Sequence, residues 1–178
     1  GTYESLQEAL WNGPWHVFHF VGHGDLDPNT GEGFLLLESE GGGPKRLSAA
    51  DLKSLLRGSA DVPIAVLNCC RSSASSGEGR VFSVAETLVQ AGIAGVIAMR
   101  DEISDGAATA FSRVFYLALA TARPLEAAAG AGRLSIKGSD LNSREWWTPV
   151  VLLRASTGAL LGSAPGRDLD EAAAGLEG

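Results

Sequence analysis

The sequence predicts an α/β domain, a mostly parallel central sheet flanked by helices on both faces, and two observations carry that reading. Short apolar, β-branched runs alternate with amphipathic stretches of roughly 10 to 17 residues, the length that a parallel crossover helix requires. The chain has 178 residues, enough for one domain with a real core and too few for two.

The elements follow in order. Leu6 to Leu10 suggest the end of a helix, broken by Asn12-Gly13-Pro14. Trp15-His16-Val17-Phe18-His19-Phe20-Val21 is aromatic and β-branched and stops at Gly22-His23-Gly24, which reads as a buried strand with an abrupt exit. Phe34 to Glu38 form a second, shorter strand. Gly41-Gly42-Gly43-Pro44 reads as a flexible loop, and no Gly-Lys-Ser/Thr follows it to make a phosphate loop. Ser48 with Asp51 three positions on predicts a helix N-terminus, with Leu52, Leu55 and Leu56 on one face and Gly58 as the stop. Ile64 to Leu67 is a strand ending at Asn68-Cys69-Cys70, and the Ser- and Gly-rich Arg71 to Arg80 is expected to be a mobile loop.

Ser83 is expected to cap a helix running to Gln90, and Gly95 to Met99 gives a third buried strand. A long helix from Gly106 to Ala122 places Phe111, Val114, Phe115 and Ala118 on one face, preceded by Asp105 as its cap. Pro124 opens a further helix to Ile136, and Thr148 to Arg154 is the last strand. The Ala-, Gly- and Asp-rich residues from Ala164 to Gly178 have linker composition.

Composition narrows the function. With 14 basic and 21 acidic side chains the formal charge is −7, which argues against direct binding of nucleic acid. No apolar run approaches the ~20 residues that span a bilayer, so a soluble, cytoplasmic protein is expected. Reactive side chains are scarce. All three histidines lie within eight residues, at His16, His19 and His23, and the only two cysteines are adjacent, Cys69 and Cys70. Neighbouring cysteines cannot staple a loop, which fits a reducing compartment. A shared metal is opposed by spacing: His19 and His23 on a strand lie roughly 13 Å apart. No metal or other cofactor is expected.

Ligands of α/β sheets gather at the carboxyl ends of the strands, where His23 and Cys70 both stand. A cysteine hydrolase needs an activatable thiol, an imidazole to move protons and N–H donors for the oxyanion. Cys70 would attack a carbonyl carbon, His23 would protonate the leaving amine, and the N–H groups of Gly24 and Cys70 would face the oxyanion. A side chain at Gly24 would crowd the substrate. Neighbours at a strand end point to opposite faces, so only one thiol can meet His23, and Cys69 is expected in the core. His16 reads as structural and His19 as a core or supporting group. Asp101, Glu102 and Asp105 follow a strand on the same edge and either supply negative charge to a cleft or form a solvated loop and helix cap, and Asp25, two positions after His23, either fixes the loop or belongs to the cleft. Trp146 and Trp147 read as packing residues, and Arg71 stands beside Cys70 in a position to favour the thiolate.

These residues carry a family resemblance. Val17-Phe18-His19-Phe20-Val21-Gly22-His23-Gly24, then Val66-Leu67-Asn68-Cys69-Cys70, then Gly77-Glu78-Gly79 leading into a helix, resemble the CHAT family of caspase-like cysteine peptidases, in the clan of caspases, separases and gingipains. The likeness continues through Ala91-Gly92-Ile93-Ala94-Gly95-Val96-Ile97-Ala98, Asp105, Phe115-Tyr116, Pro124-Leu125 and Trp147-Thr148-Pro149-Val150-Val151-Leu152. It implies a three-layer caspase-hemoglobinase fold and endopeptidase activity through His23 and Cys70. It also implies that Asn68, two residues before the nucleophile, helps line the pocket for the substrate residue preceding the cut bond, where an Asn leaves the charge preference open.

The resulting division is an N-terminal helix end or linker over 1–14, belonging to an incomplete upstream part, a peptidase domain over 15–160 and a flexible linker over 161–178. Relatives carry a strand upstream of the His strand, so a first sheet element is expected outside this segment or from another chain. The expected function is cleavage of a protein substrate. CHAT domains are similar to modules fused to or bound by sensor regions, so an associated sensor domain or partner is expected to control the enzyme, as in bacterial immunity or CRISPR-associated signalling. The alternatives are an inactive caspase-like interaction module and a thiol hydrolase of small amides.

Overall fold

The computed structural model describes residues 1–59, 62–71 and 80–154, with the backbone alone at 59, 70, 71 and 80–82. Helix α1 (Tyr3–Trp11) leads into β1 (Val17–Leu26), β2 (Gly33–Glu38) and β3 (Pro44–Ser48), followed by α2 (Ala49–Ser59), β4 (Ile64–Arg71), α3 (Arg80–Gln90) and β5 (Gly95–Met99). Helices α4 (Asp105–Ala120) and α5 (Leu125–Ser139), a 3-10 turn (Glu145–Trp147) and β6 (Pro149–Leu153) complete the described chain. The six strands form one sheet in the order β3-β2-β1-β4-β5-β6.

The expected mostly parallel sheet is corrected by the pairing. Strand pairs β1–β2, β2–β3 and β5–β6 are antiparallel, and only β1–β4 and β4–β5 are parallel. The reason is how many helices lie between neighbours. One helix between strands returns the chain to its starting end and gives a parallel pair, as α3 does between β4 and β5. The pair α4–α5 is an antiparallel helical hairpin, so the chain re-enters the sheet at the end it left and β6 runs against β5. Meanwhile β1, β2 and β3 are joined by tight turns without a helix. The segment from Pro44 read as part of a loop is strand β3, paired to β2 from Glu38↔Pro44 to Phe34↔Ser48. Nor does β1 exit at Gly22-His23-Gly24. It runs to Leu26 because β2 pairs with its last four residues, His23↔Leu36 to Leu26↔Gly33.

Local signals explain most element ends. The Thr2 hydroxyl accepts from the Ser5 N–H and caps α1. Ser48 Oγ accepts the Asp51 N–H at 3.0 Å and donates to its carboxylate at 2.7 Å, as the spacing foretold. Two caps differ from expectation. Ser83 lies inside α3, where its hydroxyl accepts from the Gly33 N–H at 3.0 Å and so ties helix to sheet. Ser104, not Asp105, caps α4, accepting from the Ala107 N–H and bonded to Glu145 at 3.0 Å.

Each face of the sheet has its own core. On one face Phe18, Phe20, Ala65, Leu67, Cys69, Val96 and Ala98 pack against α1, α2 and α3 through Leu10, Leu52, Leu56, Val84 and Leu88. On the other Ile64, Val66, Ile97 and Met99 pack against α4 and α5 through Phe111, Phe115, Leu125 and Ile136. Gly132 lets the two helices close: a Cβ there would lie 2.6 Å from the Phe111 ring. Among the described residues no helix is long and apolar enough to cross a membrane.

Candidate active site

Strands β1 and β4 run side by side from Val17↔Ile64 to Gly24↔Arg71, and within that ladder His23 is the Cα partner of Cys70. Adjacent strands lie ~4.8 Å apart, so two residues 47 positions apart in sequence become direct neighbours at the end of the β1–β4 pair. Period-two alternation puts positions 19, 21, 23, 66, 68 and 70 on the α4 side of the sheet and positions 18, 20, 65, 67 and 69 on the other. His23 is exposed. Cys69, the partner of Gly22, is 4% exposed and belongs to the core under α1–α3. The side chains of Cys70 and Arg71 and the segment 72–79, read as a mobile loop, lie outside the described residues, as do residues 155–178 with their linker composition.

Gly24 pairs with Leu35 on one side and Arg71 on the other. A Cβ on it would sit 3.3 Å from the Phe34 carbonyl oxygen and 3.5 Å from Cys69 Sγ. The missing side chain therefore relieves the buried face, away from His23, which corrects the expectation that it clears room for substrate.

Below His23, between β1, β4 and α4, an open cleft of about 530 Å³ is lined by His19, Val21, Asn68, Asp105, Ala108, Thr109, Ser112, Arg113 and Tyr116. Asn68 forms part of its floor. It is 8% exposed, and its Oδ1 has no hydrogen-bond partner among the described residues. At the far end Tyr116 Oη lies 2.8 Å from His19 Nδ1, the rings tilted at 5.7 Å. Burial pushes the Tyr116 hydroxyl up to about 12 and holds the His19 imidazole below its ordinary value. At neutral pH the tyrosine thus keeps its proton and shares a hydrogen bond with Nδ1, whose direction follows the tautomer of the imidazole. Asp105 and Arg113, one charge of each sign, stand exposed on the α4 side of the cleft.

A family model for the CHAT domain matches residues 1–155. The chain belongs to the CHAT domain family. No curated protein matches it.

In this CHAT domain the sequence-derived candidates separate into two groups. His23, Gly24, Asn68 and Cys70 fall together on the adjacent ends of β1 and β4, and Asp105 joins them across the cleft from the first turn of α4. Asp25 and Asp101 do not line the cleft. Asp25 is half-buried in β1 and accepts from the Leu26 N–H at 2.9 Å, while Asp101 sits in the exposed turn after β5. Trp147 is about half exposed and lies under the Arg100 guanidinium at 5.6 Å.

Reading the sequence missed Thr109, Ser112, Arg113 and Tyr116 and undervalued His19. A signal for them existed. Positions 105, 109, 112 and 116 recur at i, i+4, i+7 and i+11, a polar stripe beside the buried stripe of Ala107, Phe111, Phe115 and Leu119. Among the described residues no group of three or more His, Cys, Asp or Glu side chains gathers to hold a metal ion.

Proposed function

We propose that this CHAT domain is a cysteine endopeptidase acting through His23 and Cys70, and the observation that carries the reading is their shared register on adjacent parallel strands. The Cys70 sulfur attacks the scissile carbonyl carbon, forming a C–S bond and an oxyanion that backbone N–H groups of Cys70 and Gly24 receive. The His23 imidazole, having taken the thiol proton, gives it to the amide nitrogen, the C–N bond breaks and the amine product leaves. Water then attacks the thioester, its proton passing through His23 back to sulfur, and the acid product departs. The cleft below the dyad is open rather than enclosed, which suits an extended peptide more than a small amide. Control by an associated sensor domain or partner in a bacterial defence or signalling system, CRISPR-linked systems included, is part of the same proposal, and it rests on family likeness.

The test compares Cys70→Ala and Cys69→Ala on a fluorogenic peptide library, with and without candidate activators. Loss of cleavage in the first with retention in the folded second is expected. Full cleavage by Cys70→Ala contradicts the assignment, as does loss confined to a folded Cys69→Ala protein.

A further inference from the structure

Resting on the peptidase reading, we propose that Arg100, Arg133 and Trp147 form a subsite for an acidic side chain of the bound peptide, apart from the cleft below His23. Three consecutive carbonyl groups build it. The Trp147 oxygen accepts from Arg100 Nη2 at 3.4 Å, the Thr148 oxygen from the Arg100 backbone N–H at 2.8 Å, and the Pro149 oxygen from Arg133 Nε at 2.7 Å. Arg100 directly follows β5 and Arg133 belongs to α5, so one short stretch of backbone draws together two guanidinium groups from different elements.

Drawing like charges together is unfavourable until an anion answers them. Arg133 registers the strain, since burial first and then the charge of Arg100 hold its guanidinium below the ordinary arginine value. Among the described residues, however, neither arginine takes part in an ion pair. Glu145, in the adjoining 3-10 turn, spends both carboxylate oxygens on Ser104, and the exposed Asp101 and Glu102 pair with neither guanidinium.

The ligand follows from what the two groups keep. Each has given one side-chain N–H to a carbonyl and retains the rest, and a carboxylate can accept from both while cancelling their repulsion. A carboxamide cancels none of it, and a lysine adds a third cation. Trp147, half exposed beneath the Arg100 guanidinium, offers an apolar face to the methylene groups that carry the carboxylate, which suits glutamate.

Position ties the subsite to the reaction. Met99, the residue before Arg100, is the partner of Pro149, and β5 runs parallel to β4, at whose end Cys70 stands. The two strand spacings from β4 to β6 amount to about 10 Å, a length that about three residues of extended peptide cover. The acidic residue therefore sits about three positions from the cut bond.

The test uses Cys70→Ala protein, so that binding is read without turnover. Acetylated tetra-alanine amides in which one alanine is replaced by Glu, Gln or Lys are titrated against it and followed by the Trp147 indole N–H resonance, with acetate as the bare carboxylate. The Glu peptide is expected to half-saturate at a concentration about fivefold below the Gln peptide, and the Lys peptide to bind more weakly still. In Arg133→Gln, and in Arg100→Gln, which leaves the Arg133 bond to Pro149 in place, the Glu and Gln peptides are expected to differ by less than about twofold. A Gln or Lys peptide that binds as well as Glu overturns the proposal, as does a preference that survives both substitutions or acetate that saturates the site as readily as the Glu peptide. Failure of the peptidase reading looks different: the Glu peptide binds selectively through the two arginines, yet the unsubstituted chain with its activators leaves every Glu-containing fluorogenic substrate intact.

Discussion

The two faces of β1 and β4 are built from the same two strands and treated in opposite ways. Toward α1–α3 the residues Phe18, Phe20, Ala65, Leu67 and Cys69 enter a continuous apolar core. Toward α4 the strands begin in the same style, with Val17, Ile64 and Val66 packed on the helix pair, and then the cover ends. From His19 to His23 β1 is exposed at every second position, Val21 at 70%, although β1 lies in the interior of the sheet. Helices α4 and α5 lie over β4, β5 and β6, and β1 is left open as one wall of the cleft. One backbone thus serves two faces by a period of two: Phe18 and Phe20 of β1 enter the core, and His19 and Val21 line the cleft.

That contrast can be broken by substitution. Leu67, fully buried on the packed face, gives the largest effect: Leu67→Ala is expected to cost about 2–5 kcal/mol of stability, measured by urea unfolding. If it costs less than about 1 kcal/mol, the packed face is not the structural one.

The His19–Tyr116 pair gives a smaller, pH-dependent effect. An unfolded chain protonates His19 near its ordinary 6.5, but the folded chain resists because packing against Tyr116 takes part of the ring out of water and holds the imidazole lower. The unfolded state therefore binds more protons in that window, and stability falls as pH drops below 6.5 through the folded value. At the alkaline end the unfolded Tyr116 ionises near 10 and the folded one near 12, so stability falls again as pH rises from 10 to 12. Melting temperatures across pH should show both slopes, with His19→Gln flattening the acid one and Tyr116→Phe the alkaline one. Unchanged slopes in both variants would mean the pair is not held as described. The smallest effect belongs to Val21→Thr on the open face, expected to change stability by no more than about 0.5 kcal/mol.

How much of this was legible follows from the range of each signal. Local signals were readable: Ser48 with Asp51, the stripe of Phe111 and Phe115, the apolar runs of β4 and β5. The hairpin strand β3 was not, because it is an edge strand carrying Lys45 and Arg46, and charges at an edge erase the apolar alternation that marks a strand. The direction of β6 was misread although Pro124 had already divided the preceding segment into two helices, and two helices reverse the sense that one preserves. Strand ends suggested that His23 and Cys70 meet, but the register that pairs them depends on β1 and β4 lying adjacent, which spacing along the chain does not encode. The cleft needed the third dimension as well. Asn68 and Tyr116 come together because α4 packs across the sheet at Phe111 and Phe115, a long-range outcome.

The central claim, that one histidine and one cysteine of the five candidate side chains form the reactive pair, is tested most directly by thiol alkylation followed by mass spectrometry under native conditions, with activators present. The account predicts rapid modification of Cys70, protection of the buried Cys69, and slowing of the Cys70 reaction in His23→Ala but not in His16→Ala. Equal or faster modification of Cys69, or a Cys70 rate indifferent to His23, would contradict it.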